Sequence, residues 1–225
     1  MESAMSYQHQ YVDGTRIHFP LGKVVCVGRN YAEHAKELNN PIPTEPLLFI
    51  KPGSCVVPAD GGFKIPEGRG SVHYEAEIAV LLGKPLSAAA TAEDVLDAIS
   101  GYAPALDLTL RDLQSKLKDK GLPWELAKCF DGACVLPPFV SPGAFADVND
   151  IPIRLTINGE VRQDGSSAMM LNPIVAIIQH MAAQFSLQAG DVILTGTPAG
   201  VGPFEAGDEL VLELPGVSRF ESRVL

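Results

Sequence analysis

No stretch of the 225-residue sequence stays apolar for longer than about half a dozen residues, the densest being "IAVLL" at residues 78–82. A bilayer-spanning helix needs roughly 20, so no membrane span is expected. Cysteine is scarce as well: Cys26, Cys55, Cys129 and Cys134 form no CxxC pair and sit in or beside apolar segments. That spacing fits neither a disulfide framework nor a structural zinc site, and it points to reduced thiols in a cytoplasmic protein. Positive charge is in deficit, with 17 Lys and Arg against 27 Asp and Glu and a net charge of -10. Without a Lys/Arg cluster denser than "KLKDK", a nucleic-acid phosphate backbone is excluded as partner. The opening residues lack a basic stretch followed by an apolar one, so a secretory signal is not expected, and Met5 offers an alternative start.

What is abundant is strand-like sequence cut by Gly and Pro. "KVVCVG", "PLLFI", "HYEAEIAVLLG", "ISGYAPALDLTL", "IRLTING", "DVILTG" and "DELVLEL" are short β-rich runs, and together they predict a β-rich α+β fold with a rolled or barrel-like sheet. Asn158-Gly159, between two alternating segments, predicts a tight hairpin because both turn positions need positive φ. The 21 Gly and 18 Pro are scattered without a repeat, so a single domain is expected, with residues 1–19 belonging to the same domain as 20–225. Four helices are predicted: "NYAEHAKELNN" with an Asn start, "TAEDVLDAI" with a Thr-x-x-Asp capping signature, "RDLQSKLKDKG", and a buried "PIVAIIQHMAAQF".

Two carboxylates inside "HYEAEIAVLLG" are out of character with a buried strand. Residues two apart share a face, so Glu75 and Glu77 converge together with His73. Like charges this close raise one another's pKa or require a cation, although a solvated edge strand would also accommodate them. Asp107, inside the apolar "GYAPALDLTL" and just ahead of a helix, supplies a third carboxylate, whereas Asp112 belongs on the helix surface. Oxygen ligands without nearby Cys suit Mg²⁺, Mn²⁺ or Ca²⁺. Three carboxylates exceed one dication by a charge, which calls for a further cation; Lys128 in "WELAKCF" is the candidate, with a surface lysine as the alternative.

His34 and Glu37 stand three apart on one helix, where a carboxylate can orient an imidazole and raise its basicity. Such a pair suits a general base on a short lid helix, although an exposed helix often contains it by chance. "LTGTPAGVGP" is a Gly-rich loop after a strand, and its amides with the Thr197 hydroxyl offer an anion site; a plain connection is the alternative.

Taken together, "GRNYAEHAKEL", "FIKPGS", "HYEAEIAVLLGK", "LDLTLRDLQ", "KGLPWELAKCFD", "TINGEVRQ" and "GDVILTGTPAGVG" resemble the fumarylacetoacetate hydrolase family from about residue 20 onward, in particular its short single-domain members. The resemblance implies a mixed β-roll, a homodimer, and Mg²⁺ or Mn²⁺ bound by Glu75, Glu77 and Asp107. It implies a catalytic dyad of His34 and Glu37 with an active-site Lys128, and substrate contacts from Gln114 and Thr197, with Arg29, Asn30 and Lys51 in matching motifs. A 2-oxo acid is the expected substrate. The first expectation is hydrolytic C–C cleavage of an acylpyruvate through an enolate stabilised by the metal. Oxaloacetate decarboxylation or keto-enol tautomerisation comes second, an isomerase or decarboxylase of aromatic catabolism third. A metal-binding module without catalysis is the competing class.

Overall fold

The computed structural model describes residues 7–225; the readings of the signal-free start and of Met5 fall on residues 1–6, outside the described residues. In chain order the elements are β1 (Val24–Gly28), α1 (Ala32–Glu37), β2 (Leu47–Lys51), β3 (Val56–Val57), β4 (Val72–Tyr74), β5 (Ala76–Leu82), α2 (Ala92–Ala98), β6 (Ile99–Asp107), β7 (Thr109–Leu110), α3 (Arg111–Asp119), α4 (Glu125–Lys128), β8 (Cys134–Val135), β9 (Pro152–Ile157), β10 (Glu160–Ser166), α5 (Ile174–Gln184), β11 (Val192–Leu194), β12 (Gly202–Pro203), β13 (Glu209–Leu214) and β14 (Ser218–Arg223). The fold is α+β and rich in strands. Seven strands form one sheet in the order β2-β1-β11-β5-β6-β8-β3, four form a second, β10-β9-β13-β14, and three a third, β12-β4-β7.

The large sheet is buried on both faces, which explains why its central strands read as nearly continuous apolar runs. Every residue of β5 is buried. Val25, Val27, Ile78, Val80 and Leu82 pack on one side with the inner face of α5. Val24, Cys26, Ala79, Leu81, Ala103 and Ala105 pack on the other with Ile17, Tyr11 and Phe19 from the N-terminal segment. Helix α5 buries Ile174, Ile177, Ile178 and Met181, a spacing of three and four that gives it one inward face.

Local signals set several boundaries. Asn158 and Gly159 take φ of 51° and 79° between β9 and β10, the hairpin turn their chemistry favours. Thr91 and Asp94 form a reciprocal capping box at the start of α2. Three differences from expectation matter. The stretch "HYEAEIAVLLG" is two strands in two sheets, interrupted at Glu75. Helix α1 begins after Tyr31, because the Asn30 side chain is engaged with backbone groups of Asn172 and Thr195 instead of capping. Strand β14 was not foreseen, since "SRFESR" alternates half-buried with exposed positions and offers a single large apolar residue, Phe220.

Candidate active site

Glu77 begins near the start of β5 and Asp107 ends β6, and the antiparallel register that pairs Glu77 with Ala105 sets these two ends side by side. Alternation puts both carboxylates on the face that carries Ala79, Leu81, Ala103 and Ala105. The Asp107 amide donates to the Glu75 carbonyl at 2.9 Å, extending the ladder across the strand break and holding Glu75 beside them. One oxygen from each of Glu75, Glu77 and Asp107 lies within 4.8 Å of the others, and all three residues are buried.

Three cations answer this charge. Lys128, at the end of α4 and 3 % exposed, donates to Glu75 Oε2 at 2.8 Å and to Asp107 Oδ2 at 2.7 Å. It is no surface lysine: burial opposes its charge, but Asp107 and Glu75 outweigh burial and hold its pKa above the ordinary value. Its Nζ also lies 5.0 Å from the Phe49 ring centroid, within cation–π reach. Arg111, at the start of α3, pairs with Glu75 and donates to Gln114 Oε1 at 2.7 Å. Lys51 is fully buried 2.8 Å from Asp107 Oδ1, and donates to the carbonyls of Ala133 and Lys128. For Glu75, burial pushes upward, yet Lys128, Arg111 and His34 together hold its pKa well below the usual carboxylate range.

Glu77 is the exception. Burial, then the charges of Asp107 and Glu75, push its pKa well up. Among the described residues, its side chain accepts one hydrogen bond, from the Gly196 amide to Oε2 at 2.6 Å. Asp107 Oδ1 faces the Lys51 ammonium at 2.8 Å, so Glu77 is the carboxylate of the three without a lysine or arginine in ion-pair contact among the described residues. Three buried, converging carboxylates are what a hard divalent cation would bind, so this oxygen set fits Mg²⁺ or Mn²⁺.

These residues open on a cavity of about 100 Å³ that is also lined by Arg29, His34, Leu38, Gln114, Lys118, Trp124 and Thr197. That volume is well above the roughly 10–15 Å³ one water needs and below the about 300–1,000 Å³ of drug-sized pockets, so it suits a small molecule. His34 is 5 % exposed, and its Nδ1 lies 3.3 Å from Glu37 Oε2. The other Glu37 oxygen accepts from the Gly200 amide at 3.0 Å, tying α1 to the loop after β11. With Nδ1 donating to Glu37, the lone pair of a neutral imidazole is on Nε2.

The Gly-rich loop also ties the site together. Its Gly196 amide holds Glu77, and the Thr197 hydroxyl accepts from Gln163 Nε2 at 2.8 Å. Gln163, 1 % exposed at a bulge in β10, also accepts from the Ala76 amide, so it joins the loop to the start of β5. Neither Gln163 nor Arg111 was picked from sequence, although "TINGEVRQ" and "LDLTLRDLQ" contain them. Two of the residues expected at the substrate have protein partners here. Asn30 gives its side-chain amide to the carbonyls of Asn172 and Thr195 and accepts from the Asn172 amide. Lys51 has its ammonium enclosed by Asp107 and main-chain carbonyls. Neither lines the cavity, so each positions its neighbours. His73 also lies outside the lining.

Residues 23–225 match the family model described as fumarylacetoacetate (FAA) hydrolase C-terminal. The chain belongs to the fumarylacetoacetate hydrolase family. It is 49 % identical over 220 residues to the oxaloacetate tautomerase YcgM of Escherichia coli (strain K12), covering 97 % of this chain and 100 % of that protein. A family protein from Yersinia pestis CO92 superposes with a TM-score of 0.95 at 47 % identity over 97 % of this chain and 100 % of that one. A fumarylpyruvate hydrolase from Pseudomonas aeruginosa, solved in complex with Mn²⁺ and pyruvate, superposes with a TM-score of 0.90 at 32 % identity, covering 100 % of this chain and 97 % of that one. Family membership makes the chain an enzyme of this α+β fold. Among the described residues, no helix is long and apolar enough to cross a membrane.

Proposed function

We propose that this enzyme interconverts the keto and enol forms of oxaloacetate in the cytoplasm, using Mg²⁺ or Mn²⁺ held by Glu75, Glu77 and Asp107. One observation carries the proposal: His34, in contact with Glu37, and a three-carboxylate cluster line one small cavity in a chain that matches an oxaloacetate tautomerase along nearly its whole length. This places tautomerisation ahead of the acylpyruvate hydrolysis expected first from sequence.

The dication, when bound, supplies Lewis-acid stabilisation of negative charge developing on the substrate oxygens. The protein's residues do the rest. His34 Nε2 takes a proton from C3 of the keto form, the C2–C3 double bond forms, and the electron pair of the carbonyl moves to its oxygen, which is then protonated. Glu37 keeps the imidazole in the tautomer that accepts the proton and stabilises the imidazolium. Lys128 and Gln114 donate toward the oxygen on which charge accumulates, while Arg29 and Thr197 bind the carboxylate next to the keto carbon. Arg29, Lys118 and Lys128 line the cavity as cations, which suits an anionic substrate.

The likeness to the fumarylpyruvate hydrolase favours a second reading, in which the same dyad deprotonates a water that attacks an acylpyruvate carbonyl. A substrate panel separates the two. With Mg²⁺ or Mn²⁺ present, accelerated decay of enol-oxaloacetate without comparable acylpyruvate cleavage supports tautomerisation; the opposite pattern supports hydrolysis. Inertness toward every 2-oxo acid would favour a binding module.

A further inference from the structure

Arg111, Gln114, Ser115 and Lys118 all line the cavity from α3. Spacings of three and four put them on one helix face, and seven residues at 1.5 Å each carry that face about 10 Å from the carboxylate cluster outward. At the inner end Arg111 is committed to Glu75. At the outer end Lys118 Nζ donates to Asn40 Oδ1 at 2.9 Å, and among the described residues no carboxylate lies within ion-pair distance of it. Here is an ammonium on a cavity rim, held by a neutral amide, in a chain with ten more negative than positive charges. The other lining cations, Arg29 and Lys128, lie off this helix, and Leu38, Phe49 and Trp124 add apolar lining.

We propose that Lys118 is a specificity-determining residue that binds the distal carboxylate of a dicarboxylic 2-oxo acid, exchanging the Asn40 amide for the charged partner. This rests on the 2-oxo acid reading above and adds which end of the substrate is recognised and by what. An ion pair with a carboxylate adds charge–charge attraction that the bond from the ammonium to a neutral amide lacks, so the exchange is favourable without rearranging α3. An uncharged acyl tail gains nothing from it.

Steady-state kinetics of Lys118→Met, Lys118→Arg and Asn40→Ala with Mg²⁺ test the assignment. Lys118→Met is expected to raise KM for oxaloacetate about tenfold or more with a smaller change in kcat, the size of one charged hydrogen bond. Lys118→Arg recovers most of that loss. Inhibition by oxalate, which spans only the inner end, changes by less than about twofold in Lys118→Met on the same scale of tenfold per 1.4 kcal/mol. An unchanged KM, or oxalate inhibition weakened in parallel, overturns the proposal. So does an Asn40→Ala variant that reproduces the Lys118→Met pattern, because the bond between the two residues would then be the function. If wild-type protein does not turn over oxaloacetate, tautomerisation fails on its own. The ratio of oxaloacetate to oxalate dissociation constants, measured by calorimetry with Mg²⁺ in wild type and Lys118→Met, still decides the role of Lys118.

Discussion

Lys128 Nζ and Asp107 Oδ2 lie 2.7 Å apart, with 3 % and 1 % of the two side chains exposed. The same ammonium bridges to Glu75, so one lysine spans two of the three clustered carboxylates. Removing one partner from a buried ion pair costs about 3–5 kcal/mol, because the remaining charge is uncompensated. Lys51 still faces Asp107 and Arg111 still pairs with Glu75, so Lys128→Met is expected to destabilise the metal-free protein by less than that, measured by urea unfolding. Added Mg²⁺ should return more stability to the variant than to wild type, since the cation replaces the lost charge.

Gly196 serves the site through its backbone. Its φ of +93° disfavours any other residue, and a Cβ there would come 2.8 Å from Asn30 Cβ. Gly196→Ala should cost about 1–3 kcal/mol of stability from backbone strain and displace the amide that holds Glu77. Thermal unfolding and Mg²⁺ affinity check the two effects separately, and the second should weaken even at temperatures where the variant is fully folded.

Glu37 contacts His34 and does not line the cavity. Glu37→Gln can still accept from the Gly200 amide but no longer stabilises an imidazolium. Its kcat should fall about 10- to 100-fold with little change in KM, less than the 10²–10⁴ that loss of a whole general base costs. The thermal unfolding midpoint of Glu37→Gln should stay close to wild type, whereas a purely structural defect would lower it.

Cys129 follows Lys128 and is half-buried, whereas Cys26, Cys55 and Cys134 are buried. The Cys55 thiol beside it pulls its pKa down to about 7, against the opposing effect of burial and with help from Lys51. A lowered pKa means thiolate at lower pH, so alkylation by iodoacetamide should be confined to Cys129, rise through pH 7 and level off above it. Peptide mapping after brief labelling gives the site and the midpoint. Reaction at Cys26 or Cys134 first would contradict this.

Much of the site was legible because charge is conspicuous where apolar residues dominate. Glu77 and Asp107 stand inside strands that are otherwise buried on both faces, and the demand of three carboxylates for a cation led to Lys128. Asn158-Gly159 and Thr91-Asp94 were legible because their chemistry is complete within a few residues. The partners of Lys51, Asn30 and Gln163 lie far along the chain: Lys51 bonds Ala133 and Gln163 bonds Ala76, 82 and 87 positions away. Local pattern carries no trace of such contacts, so the partners of these residues could not be read from sequence. Strand β14 was missed for a related reason, since its burial depends on β13 and not on its own hydropathy.

The central claim is a carboxylate-held dication and a His–Glu pair acting together on oxaloacetate. Following the ultraviolet absorbance of enol-oxaloacetate with purified protein tests it most directly, in Mg²⁺ or Mn²⁺, after chelation, and with Glu77→Gln and His34→Ala variants. Rapid metal-dependent conversion to the keto form, abolished by chelation and by either substitution in folded protein, is the expected result. Conversion that persists undiminished after chelation, or in folded His34→Ala, would contradict the account.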